Sequence, residues 1–574
     1  RVLEEGNFTL LIDNFNPEKK AHIETFNKIG ESLNLKSFVL TCEETLTSSL
    51  EKVEINATYN KLFLHYLTRT EIRNHTNKWL DDNSKSEQQE VIKKIESIFI
   101  QLNIPFNYWS LSLFLWLYKK EKKINIHDNV ELVNLYIDGL LERKQLALSA
   151  GNIDYDTFKS FLGHLAFTLL TDYSKHSYSI PYTQLVKFID SYKSKNIRFV
   201  AETEELLDFL ISRGIVKRQN KDSNYTFRLN GVMEFFLAVH MKENKTFVEN
   251  VINDELFFLE FANELEIYAG FVKNDLEFLK KVRDRVEIVL STINNQYKDK
   301  NPDKTIGEKI RNAEELASLT NSIDAKDQIP IEYHEQDKLM DDIDPLDSFD
   351  ESVKVKTPVE STEKYTHTEL EKHLFILCRV FRSLSLITDK KEVDNTLSYI
   401  LDSVINLGFN LIEEINLENN KDKDEQEQVD FLKDLISSLI PLIVQMNLSE
   451  AIIQKNLKRL IEEKIDELKN SQERNEYKLF ILYYLLLDID LANYTYLIGD
   501  IIKTLKLFPL KNTSLLKLYF LLLFKANGNK KIQDELKEGI INQQLSINSK
   551  LDKSHIKQQI EKQIIISEKT DKAT

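Results

Sequence analysis

The residue best suited to chemistry in this sequence is an aspartate at the end of a short apolar run. Phe8 to Asp13 read FTLLID, which is typical of a buried parallel strand that ends in a carboxylate. Carboxylate oxygens bind hard cations such as Mg²⁺, often through water. An aspartate at this position can equally cap a helix or a turn, so the pattern alone leaves both interpretations open.

Other catalytic signatures are absent from the sequence. No phosphate-binding loop of the form G-x-x-x-x-G-K-S/T occurs. The histidines, including His164, His176 and His240, show no HExxH spacing, and we interpret them as core or surface residues. Cys42 and Cys378 are too few and too far apart to predict a disulfide framework or a zinc site. We therefore do not expect this chain alone to be an active enzyme.

The composition predicts a mainly helical protein. The chain has 574 residues with 13 Gly and 9 Pro, which favours long helices in about three to five domains. Its net charge of −16 disfavours binding to the phosphates of nucleic acids. No run of about 18 apolar residues predicts a membrane span, so we expect a cytoplasmic protein. Because the sequence opens at Arg1 without a methionine, we expect it to be cut from a longer chain.

The elements around Asp13 resemble the middle of an α/β domain. A helix-period segment follows from Glu18 to Leu33, and KSFVLT predicts a second strand over residues 36–41 that ends at Thr41. Further along, Thr68 is placed to cap a helix, and Pro105 precedes an aromatic-rich helix. Proline at a helix start is common, and it also offers a flat apolar face to a ligand.

The region from 151 to 242 predicts a winged-helix domain. Three helix-period segments are followed by Gly214 at a helix end, then by alternating residues at 215–219 and 225–229 around a polar turn. The apolar helix GVMEFFLAVHM closes the region. Winged helices often bind DNA, but the third segment, ETEELLDFLISRG, is acidic where a recognition helix would present basic and amide side chains.

We therefore predict a mainly α protein with an α/β fragment, a small helical domain, a winged-helix domain and a C-terminal α-helical superhelix. Residues 323–365 are dense in Asp and Glu, which predicts a flexible linker. The predicted domains are 1–60 (α/β fragment), 61–150 (small helical), 151–242 (winged helix), 243–322 (helical connector), 323–365 (acidic linker) and 366–574 (helical-repeat-like).

This order of elements, over residues 8 to 275, resembles the prokaryotic STAND class of signalling ATPases, near the NACHT group. The resemblance implies that residues 1–60 are a truncated P-loop α/β fragment of a nucleotide-binding domain and that residues 366–574 form a sensor domain. LLIDNFNP looks like the Walker B element, which implies that Asp13 holds Mg²⁺ through water and that Thr41 lies at the nucleotide. The resemblance implies that Pro105 packs against the adenine. It also implies that Arg228, which stands near the place of the family's histidine, contacts the ADP phosphate. The P-loop would lie upstream of Arg1.

The resemblance implies a molecular switch that binds ATP or ADP with Mg²⁺. The parent protein would open and oligomerise when a protein or other ligand binds the C-terminal helical domain, and an upstream effector would give the output. The resemblance also implies a role in defence against phage, in which bacterial relatives of this design commonly act. Asn16 and Pro17 replace acidic residues of relatives, which puts hydrolysis more in doubt than nucleotide binding. A catalytically inactive helical scaffold and a winged-helix transcription regulator are the alternatives.

Overall fold

The structure is a computed structural model, and the protein is predominantly helical, as the sequence predicts. It describes residues 9–13, 15, 20–33, 37–42, 60, 62, 65–81, 83, 85–101, 104–120, 129–141, 153–219, 224–310, 337–338, 340–342, 346, 353–360, 364–417, 426–472, 475–526, 529–554 and 556–557. The chain forms two compact units. The first consists of residues 1–65 with 218–224, and the second of residues 66–217 with 225–574.

The first unit contains the predicted strand–helix–strand. Strand β1 (Thr9–Ile12) pairs in parallel with β2 (Ser37–Leu40), and α1 (Lys20–Leu33) connects them in sequence. A parallel pair needs such a crossover because its strands run in the same direction. A small core lies under the strands, where the rings of Phe15 and Phe26 meet edge to face at 6.0 Å.

The second unit begins with four helices that pack through apolar faces. They are α2 (Arg69–Trp79), α3 (Lys85–Gln101), α4 (Tyr108–Lys120) and α5 (Asn129–Leu141). Thr68 caps α2 as predicted, since its hydroxyl accepts a hydrogen bond from the Glu71 backbone and the Glu71 carboxylate accepts one from the Thr68 backbone. This reciprocal capping box satisfies two amides that the first turn leaves free.

Residues 153–243 form a helix-hairpin region. Its elements are α6 (Tyr155–Asp172), β3 (Ile180–Pro181), α7 (Tyr182–Lys195), α8 (Thr203–Ser212), β4 (Val216–Gln219), β5 (Asn224–Phe227) and α9 (Asn230–Glu243). Strand β5 lies between β3 and β4. Gly214 follows α8 with φ +65°, and its amide donates to the Ile211 carbonyl while the Ile215 amide donates to Leu210. These two bonds close a Schellman motif, which favours glycine at this position.

A helical connector follows the helix-hairpin region. Its helices are α10 (Lys245–Asn253), α11 (Ala262–Val272), α12 (Leu276–Tyr297) and α13 (Pro302–Lys309). Helix α11 is central, because it packs against α5, α9 and the first helix of the C-terminal region. Its residues are buried on nearly every side, including the two carboxylates Glu264 and Glu266.

The C-terminal helical region (the described residues between 364 and 557) contains helices that pack both on neighbours in sequence and on helices further along the chain. They are α14 (His367–Ser383), α15 (Lys390–Leu417), α16 (Gln426–Ile452), α17 (Lys458–Asn470), α18 (Glu476–Ile489), α19 (Leu491–Tyr494), α20 (Leu497–Thr504), α21 (Phe508–Phe524) and α22 (Lys530–Ile547). The connector holds this region by a cap, since the Glu476 and Tyr477 amides at the start of α18 donate to Asp303 of α13 at 2.8 and 3.0 Å.

Parts of the segment for which we predict a flexible linker make defined contacts. The Arg73 guanidinium of α2 pairs with Asp337 in two hydrogen bonds, of which that from Nη2 is 2.8 Å long. Residues 353–360, the docked segment, lie on the helix-hairpin region and the connector, where Val353 is buried and the Lys356 side chain is 9% exposed. We expect a flexible segment from composition, but Asp337 pairs with Arg73 and Lys356 pairs with the buried Glu264. Composition alone does not reveal such partners.

One stretch of the described residues, Lys433–Ile452 in α16, is long and apolar enough to cross a membrane by length and composition. Half of its most apolar window is buried in the protein, and a core helix passes the same test, so this is weak evidence. Gln445 and Ser449 of this helix donate hydrogen bonds to Asp488 of α18 at 2.9 and 2.8 Å. These contacts favour a packed core helix.

Replacing Asp488 should destabilise the C-terminal helical region. The Asp488 carboxylate is 2% exposed and pairs with Lys517, also 2% exposed, at 2.9 Å, and with Lys525 at 2.7 Å. Asp488→Ala would leave Lys517 buried without its counter-ion, which typically costs about 3–5 kcal/mol. We expect earlier thermal unfolding and faster amide exchange in α18 and α21.

The matched control is Asp500→Ala, because the Asp500 carboxylate pairs with Lys469 at 3.2 Å but is half exposed. Removing such a surface pair should change stability by about 1 kcal/mol or less. Equal effects of the two substitutions would show that burial of the Asp488 cluster does not stabilise this region.

Candidate nucleotide-binding site

Asp13 and Thr41, two of the four residues that we predict at a nucleotide, lie side by side in the first unit. Each directly follows one of the two parallel strands, whose carboxyl ends meet at one edge of a sheet. The Thr41 hydroxyl donates a hydrogen bond to Oδ1 of Asp13, and the Thr41 amide donates to the Ile12 carbonyl at 2.9 Å. The carboxyl edge of a parallel sheet is where α/β proteins bind ligands.

The Asp13 carboxylate, at the carboxyl ends of β1 and β2, can accept a hydrogen bond from the water of a hydrated cation. One Asp13 oxygen is engaged by Thr41, and a carboxylate has further lone pairs that can accept from a metal-bound water. The amide of Phe15 donates to the Thr41 carbonyl at 2.8 Å, which fixes the backbone that follows both strands. The residues present therefore fit Mg²⁺ held through water.

Pro105 lies in a short loop between α3 and α4 in the second unit. It is buried, its carbonyl accepts from the Asn107 amide at 2.9 Å, and the next carbonyl, of Phe106, accepts from Leu67 at 2.6 Å. The loop is thus fixed from both sides. An adenine ring could contact Pro105 only if the side chains that cover it move.

Arg228, directly after β5, has an exposed side chain. Its amide donates to the Ile215 carbonyl at 2.9 Å, which anchors the hairpin, while the guanidinium runs past Gly214. Burial raises the pKa of Tyr136 on α5 to about 12, and the hydroxyl of Ser110 and the positive charge of Arg228 act against that rise. The Arg228 guanidinium is therefore exposed to solvent, and its charge acts on the buried Tyr136 hydroxyl.

The structure brings the predicted residues together only in part. Asp13 and Thr41 share a hydrogen bond in the first unit, whereas Pro105 and Arg228 belong to the second unit.

Sequence reasoning missed a buried polar network that starts at α9. Glu234 of α9 accepts hydrogen bonds from Asn230 at 2.7 Å and from Asn263 of α11 at 2.9 Å. Asn263 in turn accepts from Arg379 of α14 at 2.7 Å. A continuous chain of hydrogen bonds therefore runs from the helix-hairpin region through the connector to the C-terminal helical region.

Glu266 anchors the far end of this network. It is fully buried on α11 and accepts from Nε of Arg379 at 2.6 Å and from Nη2 of Arg382 at 2.5 Å. Burial alone would raise the pKa of Glu266, but the two guanidinium groups lower it to about 2. Glu266 is therefore ionised, and its charge is matched by two arginines of α14.

The docked segment also contacts α11 and α9, the helices of the buried polar network. Lys356 pairs with the buried Glu264 of α11 at 2.7 Å, and its ammonium lies 4.3 Å from the centre of the Phe261 ring. The Lys354 amide donates to Asn230 at 3.1 Å, so the segment also contacts the first residue of α9. Burial raises the pKa of Glu264 to about 7. The only sequence signal for these sites is the pair of glutamates in the apolar run ELEIYAGF.

Comparison with known proteins adds one finding. Residues 178–237 match the family model Novel STAND NTPase 4, and this stretch begins just before β3 and reaches well into α9. No curated protein and no solved structure matches the chain. The match supports a relationship to STAND-class NTPases.

Acid should weaken the contact between α11 and α14 through Glu266. The folded-state pKa of Glu266 is about 2, below its ordinary value of 4.5, so its stabilising effect is fully present above pH 4.5 and is lost as the pH falls toward 2. The shift corresponds to about 3 kcal/mol. Glu266→Gln should therefore lower the unfolding temperature at pH 7 and reduce its dependence on pH below 4.5, as measured by calorimetry.

Glu277→Gln is the control, because the Glu277 carboxylate of α12 also forms an ion pair, with Lys281 at 2.9 Å, but is exposed. It should change the unfolding temperature and its pH dependence much less than Glu266→Gln does. A Glu266→Gln protein with the wild-type pH profile would contradict the assigned ion pair.

Proposed function

We propose that this chain is the regulatory and sensor portion of a nucleotide-dependent, NACHT-like signalling switch. The match of residues 178–237 to a STAND NTPase family carries the proposal. The matched residues include the hairpin and the start of α9, so they contain both Arg228 and Glu234. The same short stretch thus holds a cation suited to phosphate and the first carboxylate of the buried network.

In this proposal the helix-hairpin region is a winged-helix domain that closes over ADP. The order α6, α7, α8, hairpin, α9 supports that assignment. The exposed positions Glu204, Glu205 and Asp208 of α8 would repel a DNA backbone, which opposes the transcription-regulator alternative. Arg228 is exposed and free to form charge-assisted hydrogen bonds with a phosphate.

The first unit would belong to a nucleotide-binding α/β domain of the parent protein, with a P-loop elsewhere in that protein. Asp13 would hold Mg²⁺ through water, and Thr41 would orient the carboxylate. Magnesium, when bound, would bridge and neutralise the phosphate oxygens. Leu11 and Val39 are 73% and 52% exposed on one face of the two strands, and parallel sheets normally have both faces covered.

The switch would work through differential contacts in two states. ADP would hold the winged-helix domain closed, and a protein or other ligand on the C-terminal helical region would favour opening, nucleotide exchange and oligomerisation. The Glu234–Asn263–Arg379–Glu266 network offers a physical route between the two regions. An effector domain of the parent protein would deliver the output, and antiphage defence in the bacterial cytoplasm is the role that we favour.

A catalytically inactive scaffold is the second candidate function. Asn16 and Pro17 support it, because they occupy positions where relatives carry acidic residues. A scaffold would keep the same helical packing without any dependence on nucleotide.

Arg228→Ala should weaken ADP binding by the full-length protein. Loss of a hydrogen bond between a charged donor and a phosphate costs about 1.5–3 kcal/mol, which corresponds to a dissociation constant roughly 10- to 100-fold higher. Isothermal titration calorimetry with ADP and Mg²⁺ measures this change.

Arg198→Ala is the matched control, because Arg198 is also an exposed arginine of the helix-hairpin region. It should bind ADP as the wild type does. Equal affinities for all three proteins would show that Arg228 does not contact the bound ADP. The absence of ADP binding by the wild type would favour the scaffold.

A further inference from the structure

Two histidines and a glutamate meet where α6 and α9 cross. Metal-ligating atoms of His164, His240 and Glu243 all lie within 4.8 Å of one another. The two imidazole rings meet edge to face with centroids 4.7 Å apart, and Nε2 of His164 lies 3.4 Å from Oε2 of Glu243. His240 and Glu243 are three residues apart on α9, whereas His164 is far from them in sequence.

Gly163 lets the two helices approach closely enough for this meeting. A Cβ atom at Gly163 would lie 3.1 Å from the Phe236 carbonyl oxygen and 3.2 Å from the His240 amide nitrogen, both on the backbone of α9. Such distances are tighter than ordinary van der Waals contact. The absence of a side chain at Gly163 therefore allows the next residue of α6, His164, to contact His240 of α9.

His240 has an unused ring nitrogen. The residue is 4% exposed, and its Nδ1 is buried without a hydrogen-bond partner among the described residues. Its ring stacks on Phe167 at 4.3 Å, which fixes the ring plane. The Nδ1 lone pair is therefore available to a metal ion.

A second layer orients the carboxylate. The Ser160 hydroxyl donates to Oε2 of Glu243 at 3.0 Å, and the Tyr192 hydroxyl donates to Ser160 at 3.3 Å. Hydrogen bonds of this kind hold ligating carboxylates in place around bound metals. A cleft of about 430 Å³, lined by His164, Thr168 and Tyr192 among others, opens beside His164.

We propose that His164, His240 and Glu243 form a Zn²⁺-binding site that joins α6 to α9. Imidazole and carboxylate ligands suit zinc, and three protein ligands leave a fourth tetrahedral position for water or another small ligand from the cleft. Ligand atoms around tetrahedral zinc lie roughly 3.3 Å apart, so small rotations of the half-exposed His164 and Glu243 side chains complete the site. The site is separate from the nucleotide function and does not depend on it.

The test is calorimetric titration of the full chain, freed of metal with a chelator, with ZnCl₂ at pH 7.5. We expect the wild type to bind one zinc ion at this site with a dissociation constant below about 1 µM, and its unfolding temperature to rise with zinc because ligand binding stabilises the folded state. His164→Ala and Glu243→Gln should each weaken this binding at least tenfold and abolish the rise. Both side chains are partly exposed, so these variants should fold, which circular dichroism checks.

His176→Ala is the control, because His176 is an exposed histidine of the same region. It should bind zinc as the wild type does. Cobalt substitution gives an independent readout, since tetrahedral coordination would produce intense visible absorption that Glu243→Gln loses. Zinc binding that is absent from the wild type, or equal in the wild type and both ligand variants, would overturn the proposal.

Discussion

The second unit depends on burying two carboxylates within one helix. Glu264 and Glu266 of α11 are both fully buried. The core tolerates the charge of Glu266 because Arg379 and Arg382 reach it, and Lys356 pairs with Glu264. Each pairing fixes the position of its partner's helix or segment relative to α11. A buried ion pair of this kind contributes more to the choice of one arrangement than to total stability.

That constraint explains why α11 is suited to transmit a change. The helix contacts α9 of the helix-hairpin region on one side and α14 of the C-terminal helical region on another, and the hydrogen bonds from Glu234 through Asn263 to Arg379 join all three. A displacement of α14 would leave buried charges without partners unless α11 and α9 adjusted with it. This chain of contacts defines the residues at which coupling between the two regions should be measured.

Sequence reasoning reached the local features and missed the distant ones. The β1–α1–β2 unit, the Thr68 cap and the Gly214 turn follow from apolar periodicity and from backbone preferences that act over a few residues. The placement of Thr41 beside Asp13 follows from the geometry of parallel strands. In contrast, Glu266 and Arg379 are 113 residues apart, and His164 and His240 meet only because two helices cross. Lys356 likewise occurs in an acidic stretch whose composition predicts exposure.

The most direct test of the proposed switch is amide hydrogen exchange of the full-length protein with and without ADP and Mg²⁺. The account predicts slower exchange in the helix-hairpin region when ADP binds, together with a change in α11 and α14, which the buried network joins to it. Identical exchange in all three places with and without nucleotide would contradict the account. That result would favour the helical scaffold, whose packing does not depend on a bound nucleotide.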